Sequence, residues 1–261
     1  MQITHREKKK VKFRISFIFL FIIASFVACF TFYMKEDFVV TEDMFEESEE
    51  AVVYIESVGQ SSTLVNPVPA GEKKGMEHYD TSIFIGSKVL AGLSDYGYVE
   101  SENMLLSDSI KLSNFNTVIL SENNVQNTIS DSVINKQAEN LYIMIGLYET
   151  ATITDDSFEQ LEKCIETIYE SNPDINIYLM SVLPITAEAE ASVANNADID
   201  SYNSMLLKFA DKVQVHYLDA NTMFKGNDGK LSAASAEING VRLKKEAYEK
   251  LSEYILTHVA E

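Results

Sequence analysis

The chain holds four histidines and two cysteines in 261 residues, and none of them has the spacing of a catalytic or metal-binding group. His5 stands in a basic N-terminal run and His78 precedes the first strand-like segment. His216 falls inside a strand-like run, and His258 sits in the last helical pattern. Each reads as structural or solvent-facing. No His, Cys, Asp or Glu cluster carries ligand spacing, so no metal and no cofactor is expected. Cys164 recurs with Phe158, Leu161, Ile165 and Ile168 at helical spacing and reads as a small core residue. Ser87-Lys88 supplies the two parts of a serine–lysine dyad. Adjacent residues leave a strand end in different directions, however, so their side chains need not meet.

The elements that would position such residues are legible from residue 79 onward. Apolar runs at 82–86, 118–120, 141–146, 175–184 and 213–219 alternate with helical patterns at 155–171, 198–212 and 243–259. Near-continuous apolar strands between helices predict a three-layer α/β/α sandwich on a parallel, flavodoxin-like sheet. Sites in such sheets form where loops leave the carboxyl ends of the strands. The places to inspect are therefore the residues after Ile85, after Leu106, after Ile145 and just before the last helix.

Read in order, those four places resemble the SGNH (GDSL-type) hydrolases over residues 79–261. The family's first block, F-I-G-D-S-x-x-x-G-L, has its counterpart in Phe84-Ile85-Gly86-Ser87-Lys88-Val89-Leu90-Ala91-Gly92-Leu93. This register puts Ser87 at the family's Asp and Lys88 at its nucleophilic Ser. In Ser107-Asp108-Ser109-Ile110, Ser109 matches the Gly whose N–H serves the oxyanion hole. Ile143-Met144-Ile145-Gly146-Leu147-Tyr148-Glu149 matches I-M-L-G-x-N-[DE], with Tyr148 at the oxyanion Asn. Asn239-Gly240-Val241-Arg242-Leu243 matches D-G-x-H-L, placing Asn239 at the Asp and Arg242 at the His.

The resemblance implies a fold whose usual acyl-transfer chemistry is gone. That chemistry needs an activated hydroxyl, a base and oxyanion donors. A guanidinium stays protonated and cannot be the base, and an ammonium is no nucleophile until it loses a proton. The expectation is an inactive, esterase-like pseudoenzyme. Two uses of its cleft stand. In one, Ser87, Lys88, Tyr148, Glu149 and Arg242 bind a carboxylate, phosphate or acidic envelope glycan, or another envelope protein. In the other, Lys88 and Arg242 pair with Glu149, Asp108 or other neighbours and merely close it. The alternative function is an active esterase or deacetylase on acylated envelope glycans, working through a relocated site.

Ahead of this domain, Ile15–Met34 forms a twenty-residue stretch without a charge. At about 1.5 Å per residue it matches the roughly 30 Å hydrocarbon thickness of a bilayer. Residues 1–14 carry six bases and one acid, which predicts a cytoplasmic tail and an outward-facing remainder. A cleaved signal peptide fits less well, because the run is long and no A-x-A site follows. Cys29 is either a membrane residue or a lipidation site. Residues 35–78, acid-rich at one end and broken by Pro67, Pro69 and Gly71, read as a self-repelling extracellular stalk. The expected setting is a bacterial, Gram-positive cell membrane crossed once. Beyond the tail stand 15 bases and 39 acids. A surface so acidic excludes nucleic acid as a partner.

Overall fold

The computed structural model describes residues 64–122 and 125–260. Among them no helix is long and apolar enough to cross a membrane; the tail at 1–14, the span at 15–34 and Cys29 lie outside the described residues. Five parallel strands form the central sheet: β1 (Ser82–Gly86), β2 (Met104–Leu106), β5 (Asn140–Met144), β6 (Asn176–Met180) and β7 (His216–Leu218). Their order is β2-β1-β5-β6-β7. Strand order reverses between β1's two neighbours, which opens a crevice at the carboxyl ends of β1 and β5. β3 (Leu120–Glu122) and β4 (Val125–Asn127) pair only with each other, antiparallel. The apolar run at 118–120 thus feeds a small hairpin and not the main sheet. The sheet's edge comes instead from the short Met104–Leu106 segment.

β1 and β5 are buried at every position, as strands covered on both faces must be. One face carries a ladder of rings in strict cross-strand register: Phe84, Tyr142, Tyr178 and His216. Their centroids are 4.8, 4.7 and 5.0 Å apart in turn, within stacking distance. The two middle rings of the ladder hold the chain's incoming and outgoing segments. Tyr142 Oη lies 2.7 Å from His78 Nε2, and Tyr178 Oη accepts from the Ala260 N–H at 3.1 Å. The alternate residues Ile83, Ile85, Leu141, Ile143, Ile177 and Leu179 point the other way and are equally buried.

The helices are α1 (Gly92–Asp95), α2 (Ile129–Asn135), α3 (Glu159–Ser171), α4 (Asn196–Val213), α5 (Ala220–Phe224) and α6 (Lys245–Thr257). α3 buries Leu161, Cys164, Ile165 and Ile168 as one stripe, and burial pushes the Cys164 thiol up to about 12. α4 starts at Asn195, whose side chain accepts the Ala197 N–H, and ends at Gln214 in the left-handed region. α2 is unannounced by hydrophobic period and rests on a reciprocal cap between Thr128 and Asp131.

Residues 64–78, assigned by composition to the stalk, belong to the folded unit. Val68 is buried and donates its N–H to Tyr217 O at 2.9 Å, while Asn66 Oδ1 accepts the Tyr217 N–H at 2.7 Å. Asn66 Nδ2 also reaches Val215 O and Asp211. The segment therefore runs along the free edge of β7 and satisfies backbone groups that would otherwise invite another strand. Backbone pairing of this kind needs no apolar period, which is why composition alone suggested a spacer.

Candidate functional site

Four loops converge at the crevice. After Gly86, Ser87 caps a 3-10 turn over Lys88–Ala91, its Oγ accepting the Val89 N–H at 3.3 Å. That turn projects Lys88 outward with a side chain 66% exposed. Close behind, Gly92 packs against the ring of Tyr248, where a Cβ would collide with the aromatic carbons. After β2, Ser107 donates its N–H to Gly86 O at 3.0 Å and presents Asp108 to Lys88. The ammonium stands 3.5 Å from Asp108 Oδ2, and the Lys88 N–H lies 3.5 Å from its Oδ1.

After β5, Gly146 adopts φ +102° against the Tyr202 ring, a conformation and a contact that only glycine accommodates. Tyr202 Oη donates to Ile145 O at 2.7 Å and fixes the same loop from beneath. The loop exposes Tyr148, 59% accessible, and turns Glu149 inward. Glu149 accepts the Leu112 N–H at 3.2 Å, and burial pushes its carboxyl pKa up against that bond.

The fourth loop precedes α6. Asn239 Oδ1 accepts the N–H groups of Val241 and Arg242 at 3.1 and 3.0 Å, so this side chain holds its own turn. Arg242 Nη2 donates to Asp95 at 2.6 Å, and its buried Nε has no hydrogen-bond partner among the described residues.

Lys88, Asp108, Tyr148, Asn239 and Arg242 line one solvent-open cleft of about 260 Å³, with Val89 and Val241 among its apolar wall. Three predicted positions do not line it. Ser87 faces a neighbouring apolar pocket of about 10 Å³, room for a single water. Ser109 turns its N–H onto Ser107 Oγ at 3.2 Å, and Glu149 is committed to Leu112. Sequence reasoning missed Asp95, an acid in the turn of α1 that no motif marks. No described histidine lines the cleft. His78 bonds Tyr142, His216 stacks on Tyr178, and His258 stacks on Tyr254.

Similar architecture is found in a Streptococcus pneumoniae protein described as a platelet activating factor. It aligns with TM-score 0.50 and 16% identity over 67% of this chain and 81% of its own. A protein of Desulfitobacterium hafniense described as lipolytic and of the G-D-S-L family aligns with the same TM-score and identity. That match covers 69% of this chain and 99% of the other. The fold is that of the SGNH, or GDSL-type, hydrolases. No protein-family model matches the sequence, and neither does any curated protein. The likeness to the SGNH fold thus lies in the order of strands and loops. In the sequence, it surfaces only in short blocks around Gly86, Gly92, Gly146 and Gly240.

Proposed function

We propose that this chain is a membrane-anchored SGNH-fold domain, held outside the cell, that does not hydrolyse esters and uses its cleft to bind a cell-envelope ligand. One observation carries the reading. The charged side chains that line the cleft are Lys88, Asp108 and Arg242, with Lys88 paired to Asp108 and Arg242 to Asp95 behind it. Neither pair contains a nucleophile, and neither contains a base with a pKa near neutrality. The two ion pairs differ in a way that favours binding over simple closure. Arg242 is 31% exposed and tightly held, whereas Lys88 and Asp108 are both more than half exposed at 3.5 Å. A pair so exposed is worth about 0–1 kcal/mol, so an incoming anion can take Lys88 from Asp108 at little cost. Tyr148, beside it, offers a free aromatic face of the kind that packs on a sugar ring.

The test uses the full chain in uncharged detergent. An activated acetyl ester should be hydrolysed no faster than in buffer. Turnover that disappears in Ser87→Ala would overturn the reading in favour of an esterase with a displaced site. Binding of an acidic envelope glycan fragment, followed by calorimetry, should weaken about tenfold or more in Lys88→Ala, the loss of one charge-assisted contact, and by a similar factor in Tyr148→Ala, the loss of the aromatic face. Equal affinity in wild type and both variants would leave the cleft without a role in binding.

A further inference from the structure

A second pocket lies outside the cleft, bounded by α5, the 225–235 loop and the first turns of α6. It offers about 260 Å³, as much as the cleft itself. Lys225, Lys244 and Lys250 line it against a single carboxylate, Glu246. Lys225 is bound to Asp200 at 2.5 Å. Lys244 Nζ is tethered by two carbonyl oxygens, Ala234 at 3.0 Å and Ala233 at 3.4 Å, which fix its position and leave its charge uncompensated. Among the described residues Lys250 and its neighbour Lys245 pair with no carboxylate, although Glu246 stands one helical turn from Lys250. In a chain of net charge −19, lysines left unpaired around one concavity are the opposite of what composition dictates.

We propose that this pocket is a binding site for a phosphoryl group, taken as the phosphate of a small phosphoester. The chemistry of the donors selects the ligand. Lysine ammoniums are point charges, with three donors each, that approach a tetrahedral anion from separate directions. A planar carboxylate is matched better by the guanidinium fork, and this pocket has no arginine. Ser232 and Ser235 add hydroxyls on the wall, and Phe224 and Ala247 give an apolar side for the organic part. The volume exceeds what a bare phosphate fills. The proposal is independent of the cleft, since the two pockets share no lining residue.

The test is calorimetry on the full chain in uncharged detergent, with glycerol phosphate and short-chain phosphatidylglycerol as separate probes. One saturable site is expected for at least one probe, weakening as salt rises. Tighter binding of the lipid assigns the phosphate to a headgroup, and tighter binding of glycerol phosphate assigns it to a soluble ester. Lys250→Glu, on an exposed helix face, should weaken binding at least about tenfold, and Lys245→Glu by less. The double variant Lys88→Ala/Arg242→Ala should leave it unchanged, which separates failure of this site from failure of the cleft. Absence of saturable binding for both probes overturns the proposal. So does binding that Lys250→Glu leaves intact, because an ion held only by the diffuse field would behave that way.

Discussion

Arg242 and Asp95 are 147 residues apart in sequence and 2.6 Å apart in space. Their pairing decides what the fourth loop can do. The guanidinium is protonated at every working pH, and its best donor is already spent on a carboxylate. Asn239, at the position from which the resemblance would have a carboxylate orient the base, is occupied by the N–H groups of Val241 and Arg242. Restoring only the two most visible residues should therefore fail. Lys88→Ser/Arg242→His is expected to show no hydrolysis of an activated acetyl ester above the buffer rate. A histidine at 242 would lack the carboxylate that orients it, a loss of about 10⁴ in rate, and Tyr148 leaves the oxyanion without an amide donor, a further loss of about 10²–10³. Measurable turnover by that double variant would show the rest of the apparatus to be intact. The four positions were legible in the sequence because loop order follows strand order. Asp108 was legible as a partner for these cations; Asp95 was not, because it reaches Arg242 from a turn whose acids look like any solvated surface acid.

At the scale of elements, the best-read features were those with a strong period. β1 was read to the residue, and the helical patterns fell within a few residues of α3, α4 and α6. The hairpin at 120–127 and the segment 64–78 escaped, because each gives the core only an isolated apolar residue and is held mainly by turn geometry or backbone pairing; β2 was marked only by its end at Leu106, being too short to show a period. The ring ladder across β1, β5, β6 and β7 has a consequence for pH. Burial pushes the pKa of His216 down, and burial followed by the Lys74 charge does the same for His78. The unfolded chain protonates these imidazoles below about pH 6.5 while the folded chain resists, so stability falls as pH drops through that value. Glu149 acts in the opposite sense, its raised pKa favouring the folded state as acid is added. His216→Phe keeps a ring against Tyr178 and removes one of the two histidine contributions. Its urea midpoint should therefore fall less than that of wild type between about pH 7.5 and about pH 5.5. An identical fall in both would mean that His216 takes up its proton as easily folded as unfolded.

For the whole molecule, the arrangement of charge argues for a location. Six bases crowd the first fourteen residues, an uncharged run of twenty follows, and 39 of the chain's 40 acids come after residue 14. The basic cluster beside the uncharged run would bias insertion toward the topology proposed above, with the basic end retained on the cytoplasmic side; the acids that follow add little to that bias. The cores on both faces of the sheet are complete without it: Cys164 is buried and free, and no described disulfide is needed to hold the domain. On the proposed outward orientation the domain would fold after export on the strength of its apolar layers, and the unbroken burial of β1 and β5 suits that. The topology has a direct check. Protease added to intact cells expressing the full chain should degrade the folded domain, and lysing the cells first should add little further loss. Removal of residues 1–34, which takes away both the basic end and the span, should leave the domain in the cytoplasm, protected from the same protease. If the full chain were protected until lysis, the charge asymmetry would not be setting orientation. The cleft would then face cytoplasmic ligands, and an envelope glycan would be the wrong class to test.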